Sequence, residues 1–122
     1  EIPVRTCKKS FLRIHFSTAE TRDDDKMSKI RSLLFVLQDY HHHFMEVYGC
    51  FKNAKIHGKH EQSDLNTFRW AVADPSASIN VPQHVSDNGC GYIEDRRPQP
   101  DSDPYAVTTA LLQAAVGKLP DL

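Results

Sequence analysis

Between Met27 and Val47 the apolar residues return at helical spacing: Met27, Ile30, Leu33, Leu34, Leu37, Tyr40, Phe44 and Val47. A one-sided stripe of this kind leaves water only when a second layer lies against it. The spacing predicts a helix over about 25–43, with its last turn undefined. Asp23, Asp24 and Asp25 precede the stripe, and acidic side chains suit a helix N-terminus, where unpaired N–H groups and the dipole are positive. Gly49 marks the turn after it. A second helix is expected over 104–116, with Val107, Leu111, Leu112 and Ala115 on its apolar face. Asp103-Pro104 opens it, proline being favoured at the first helical position.

The partner layer comes from short alternating runs. Phe11, Ile14 and Phe16 alternate with Arg13 and His15; Ala77, Ile79 and Val81 alternate with Ser76, Ser78 and Asn80. With Gly91 to Arg96, these give strands near 11–17, 76–82 and 89–96. The last two read as a hairpin with a long loop across the turn signal Asp87-Asn88-Gly89. Leu65, Phe68, Trp70 and Val72 suggest one or two helical turns within 64–74, and 49–63 reads as a polar loop. The class is α+β, with antiparallel strands and two main helices.

The chain has 122 residues, enough for one small domain. Fifteen Lys and Arg against 16 Asp and Glu leave no basic excess for a nucleic-acid partner. No apolar run approaches the roughly 18 residues of a membrane span. Cys7, Cys50 and Cys90 are odd in number and far apart, which fits reduced thiols in a cytoplasmic protein. Glu1 rather than Met opens the chain, as in a piece of something longer.

The densest chemistry lies in "GYIEDRRP", residues 91–98. On a strand, Tyr92, Glu94 and Arg96 share one face, and Ile93 and Asp95 the other. A carboxylate two residues from a guanidinium can serve a hard cation and an anion together, or can simply form a solvated, salt-bridged strand. His41-His42-His43 looks like a metal cluster, but consecutive helical residues point in different directions and cannot chelate one ion, so a structural reading is preferred.

The stretches "GKHEQSDLNTFRWAVADPSASINVP" and "GYIEDRRPQPDSDPYAVTTALL" resemble the C-terminal catalytic region of eukaryotic-type (class II) glutamine synthetase, and "HFSTAETRDDDKMSKI" resembles it more weakly. The resemblance covers about 11–116. It implies that 1–122 is the C-terminal portion of a glutamine synthetase-like catalytic domain, a partial version of that fold. It implies ATP-dependent ligation of ammonia to glutamate, with Mg or Mn and ATP as cofactors. By motif position, Glu94 is implied to ligate metal, and Arg96 to act in catalysis and contact substrate. Tyr92 and Ser17 are implied to bind nucleotide, Glu61 to be the catalytic flap acid, and Lys55 to contact the substrate glutamate.

The departures from the family pattern are chemical. A phosphate-contacting arginine of the family falls on Pro75, and two more fall on Asn80 and Gln83. The metal-binding histidine falls on Arg13, a cation at a cation's place. His15, two positions on, is a candidate substitute. Phosphoryl transfer depends on positioning and charge neutralisation, so these losses lead to the expectation of a glutamine synthetase-like chain impaired or inactive by itself. Its role would then be structural or interactive, as a homo-oligomer or with a protein partner. The alternative is a segment of an active glutamine synthetase that needs missing N-terminal parts and adjacent subunits.

Overall fold

A computed structural model describes residues 13–49 and 67–121. The expectations for Cys7, Cys50, Lys55, Glu61 and Leu65 lie outside those residues. Four strands, β1 (Ile14–Phe16), β2 (Trp70–Val72), β3 (Ile79–Val81) and β4 (Ile93–Asp95), form one sheet in the order β1-β4-β3-β2. The helices are α1 (Ser28–Asp39), α2 (His41–Val47), α3 (Gln83–Asn88) and α4 (Pro104–Val116). The class is α+β, as expected. β4 is antiparallel to both β1 and β3, whereas β2 joins β3 in parallel, so the sheet is mixed.

The long stripe builds two helices, because the backbone leaves helical geometry at Tyr40 (φ −102°, ψ 17°). The apolar face runs on across the break, from Ile30, Leu33, Leu34 and Leu37 to Phe44 and Met45, all buried. Helix α4 packs on both α1 and α2 through Val107, Ala110, Leu111 and Ala114. Ile30, Leu37 and Leu111 are fully out of water, and burying a side chain of that size contributes about 1.5–3 kcal/mol.

Helix α1 starts three residues later than the acidic run suggests. Lys26 and Met27 both adopt left-handed backbone, at φ 61° and 73°, which costs roughly 1–2 kcal/mol per non-glycine residue. Burial of the Met27 side chain and a bond from Met27 N to Gly89 O (2.9 Å) offset that cost. Asp25 still serves the helix start, accepting from Lys29 N at 3.3 Å. Helix α4 begins as the sequence predicts: the Asp103 carboxylate accepts from Tyr105 N, with Pro104 behind it.

Two local expectations are corrected. Residues 70–72 form strand β2 rather than helical turns. Phe68, Trp70 and Val72 recur every second residue, and aromatic and β-branched side chains favour a pleated surface. The connection between β3 and β4 holds helix α3, not an open hairpin loop. Gly91 then brings the chain into β4 at φ 138°, with its α-carbon so close to Val85 that an added Cβ would lie 2.7 Å from a valine methyl.

Candidate functional site

Strand β4 is the middle of the site, and its two faces differ in kind. Ile93 and Asp95 are buried, while Glu94 between them is half-buried. In the ladder Glu94 lies opposite His15 on β1 and Asn80 on β3. The three side chains meet across the strands. Asn80 Nδ2 donates to Glu94 Oε1 at 3.1 Å, and His15 Nε2 stands 3.5 Å from Glu94 Oε2. The His15 ring stacks on Tyr92, with centroids 4.9 Å apart and planes inclined by 22°. His84 of α3 approaches the same tyrosine at 5.7 Å. Tyr92 and Glu94 therefore share a face, as alternation requires.

Arg96 continues that line two residues on. Its backbone N–H donates to Ser78 O at 2.9 Å. Its side-chain Nε is buried and has no hydrogen-bond partner among the described residues. A buried donor left unpaired costs about 1–3 kcal/mol, so an anionic acceptor at Arg96 would recover that loss.

The loop between β2 and β3 completes the arrangement. Asn80 Oδ1 accepts from Asp74 N at 2.8 Å, so one amide ties Glu94 to this loop. The Asp74 carboxylate accepts from Ser76 Oγ (2.6 Å) and Ser76 N (3.0 Å) through one oxygen, and from Arg69 Nη2 (2.9 Å) through the other. The Ser76 bonds and then Arg69 lower the Asp74 pKa to about 2. Ala73 turns the chain at φ 54°. Pro75 sits exposed in this turn. Gln83, also exposed, donates to Asp87 within α3.

Behind the sheet lies a buried polar network. Arg97 forks onto Asp95, with Nε to Oδ1 and Nη2 to Oδ2 both at 2.9 Å. Tyr48 OH donates to Asp95 Oδ2 at 2.7 Å, and Arg97 Nη1 lies 3.0 Å from His41 Nδ1. The guanidinium sits over the rings of Phe44, Tyr48 and Phe68, at 4.8, 5.4 and 5.6 Å. Burial, followed by the negative charge of Asp95, pushes the Tyr48 pKa well up, so the phenol stays neutral and donates. His41 thus has a structural role, while His42 is exposed.

The sequence-based candidates divide accordingly. Tyr92 and Glu94 come together with His15, and Arg96 follows on the same strand line. Ser17 is engaged elsewhere, its hydroxyl accepting from Arg22 Nη1 at 2.9 Å. Arg13 is exposed just before β1. Neither the bridge through Asn80 nor the approach of His84 was expected from the sequence. The alternation around Asn80 marks its face but not its partners.

Magnesium prefers near-octahedral oxygen ligands. Among the described residues, no group of three or more His, Cys, Asp or Glu is placed to hold a metal. Among the described residues, the donors in contact with one another there are the Glu94 carboxylate, already bonded to Asn80, and the His15 imidazole. The described residues by themselves do not fit a complete centre for that ion.

No family model matches the chain. Curated relatives do. The chain is 37% identical over 102 residues to glutamine synthetase cytosolic isozyme 1-5 of Arabidopsis thaliana, and 38% identical over 102 residues to glutamine synthetase of Fusarium solani subsp. phaseoli. It is 40% identical over 92 residues to glutamine synthetase of Schizosaccharomyces pombe. The first two alignments cover 84% of this chain and 29% of each relative; the third covers 75% and 26%. An α+β sheet carrying Tyr92, Glu94 and Arg96 on one strand line, joined to this similarity, defines the class: the chain belongs to the glutamine synthetase family. It spans about 29% of the length of those relatives.

Proposed function

We propose that this chain keeps a glutamine synthetase scaffold, as a C-terminal portion of the catalytic domain, without completing the ligation of ammonia to glutamate by its own residues. Its role is then structural or interactive, within a homo-oligomer or on a protein partner. One observation carries this reading: Asn80, where the family resemblance places an arginine, is committed to Glu94 and to the backbone of Asp74. A neutral amide bonded on both sides supplies no charge to a transferring phosphoryl group. Pro75, in the neighbouring turn, has no side-chain donor to supply one. Removing a single preorganised donor from such a site typically lowers the rate by about 10²–10³. Relatives named as cytosolic isozymes support a cytoplasmic location.

A second reading has its own observation. Arg96, whose Nε has no partner among the described residues, on the same strand line as the Tyr92 that stacks on His15, is suited to a ligand with an anionic group and a flat ring, as ATP has. On that reading the chain is a segment of an active enzyme and binds nucleotide when the remaining parts are supplied. The assay that separates the two is glutamine formation and γ-glutamyl transfer by the folded chain, with ATP and Mg²⁺ or Mn²⁺, alongside Glu94→Ala. Turnover that disappears in Glu94→Ala overturns the first reading. No turnover from a folded chain supports it, and a calorimetric titration with Mg–ATP then decides whether binding survives.

A further inference from the structure

Helix α4 carries no charged side chain between Pro104 and Val116, although only one of its sides is covered. Val107, Ala110, Leu111 and Ala114 are buried toward α1 and α2. Of the four large apolar side chains exposed among the described residues, three belong to this helix: Tyr105 (81% exposed), Leu112 (56%) and Val116 (57%). At 100° per residue all three fall on the side away from the core. Thr109, also exposed, completes the row. A helix that is apolar on every side ordinarily has every side covered.

The spacing of the row says what covers it. Residues 105, 109, 112 and 116 step by four, three and four, the seam of two helices packed side by side. The seam is also symmetric about a point between Ala110 and Leu111. Turned end for end, Tyr105 falls opposite Val116 and Thr109 opposite Leu112. A second α4 laid antiparallel therefore sets a larger side chain against a smaller one at every step. The same operation brings Asp103, the N-cap, to Lys118, just beyond the C-cap Gly117. Both are exposed, and their charges are opposite. A twofold contact requires this self-complementarity, and antiparallel helix dipoles favour it. Beside the seam, Thr108 spends its hydroxyl on Pro104 O at 2.9 Å. Between α4 and α2 lies a hollow of about 360 Å³, lined in part by Val47, Ala106 and Thr109, with room for Leu112 of the second copy.

We propose that α4 is the contact of a symmetric homodimer of this chain, two copies packing antiparallel through Tyr105, Thr109, Leu112 and Val116. This gives the homo-oligomer of the structural reading above its surface, and rests on that reading for its role. One helix face is a small contact, under the roughly 1,200 Å² at which standard interfaces begin, so the dimer exchanges with the monomer.

The test is sedimentation velocity of the chain from about 5 to 500 µM, the range in which a contact of this size dissociates. The expected result is an average mass that climbs from one chain to two. Leu112→Glu should weaken association by roughly a hundredfold or more, because it brings two carboxylates into an apolar seam. The side chain is exposed, so circular dichroism should be unchanged. Adding Thr109→Lys should restore the dimer, since in the antiparallel register each lysine meets the glutamate of the other copy. A chain that stays monomeric over the whole range overturns the contact, and is the result to expect if a different polypeptide covers this face. A dimer that Leu112→Glu leaves intact, or that the double variant fails to restore, overturns it equally. Glutamine formation measures the structural reading separately. A monomer without turnover strikes the contact and leaves that reading standing, and a dimer with turnover does the reverse.

Discussion

Asn80 holds Glu94 from the adjacent strand: its amide nitrogen donates to the Glu94 carboxylate at 3.1 Å, while its oxygen accepts from the Asp74 backbone at 2.8 Å. This side chain fastens the β2–β3 loop to the central strand. Asn80→Leu removes both bonds and leaves two polar groups short of partners. The expected loss is about 1–3 kcal/mol, read as a lower urea midpoint with an unchanged slope. A midpoint equal to the parent's would show that water replaces both bonds fully.

The Asp95–Arg97 pair is buried, with the rings of Phe44, Tyr48 and Phe68 against the guanidinium and the Tyr48 hydroxyl on the carboxylate. Arg97→Met leaves a carboxylate without its countercharge in that pocket. Breaking such a pair by removing one partner costs about 3–5 kcal/mol, a large share of a small domain's stability. The expected outcome is loss of a cooperative thermal transition, or one displaced far downward, in circular dichroism.

Tyr48 gives an alkaline signature. Its folded pKa lies above that of the unfolded chain, so its contribution is complete below about pH 10 and is lost as pH rises through the folded value. Ultraviolet absorbance of phenolate should show one tyrosine of the four ionising only together with unfolding. Tyr48→Phe should remove that late phase and lower stability by about 1–2 kcal/mol.

Asp74 behaves in the opposite sense. Its carboxyl is held at about 2 by Ser76 and Arg69, below the ordinary value near 4. Its contribution is present above about pH 4 and fades toward pH 2. The carboxylate is partly open to solvent, so the clear readout is a carboxyl ¹³C titration rather than a melting curve. Ser76→Ala should move that titration upward; an unmoved midpoint would assign the shift to the Ser76 backbone N–H and Arg69 instead.

Gly91→Ala tests how β4 is entered. The φ of 138° and the 2.7 Å approach to Val85 leave no place for a methyl group. Destabilisation is expected, and the double variant with Val85→Ala should recover only the steric part of it, because the backbone conformation stays unfavourable.

The helical stripe and the alternating runs announced most of the architecture, because burial of one face follows directly from spacing. Their periods carry no record of where a strand pairs. Nothing in Trp70-Ala71-Val72 says that it runs parallel to β3, an arrangement built on the Asp74–Ser76 turn and the left-handed Ala73. The break at Tyr40 was equally silent, since the apolar face crosses it without interruption. In the site, the alternation of "YIEDR" gave the faces of Tyr92, Glu94 and Arg96 correctly. The partners of Glu94 depend on three strands coming into register, and the network of Tyr48, His41, Asp95 and Arg97 joins residues some fifty positions apart, a distance at which no local pattern speaks.

The division of labour along β4 bears on how such a chain can change over time. Odd positions of the strand are locked to the helices by apolar packing and the buried ion pair, and Glu94 between them lies on the opposite face, against His15 and Asn80. Substitution at Glu94 therefore leaves the apolar contacts of the strand with the helices in place. A lineage can shed a reaction one side chain at a time, each intermediate remaining folded and available for another use, provided the side toward the helices is left alone.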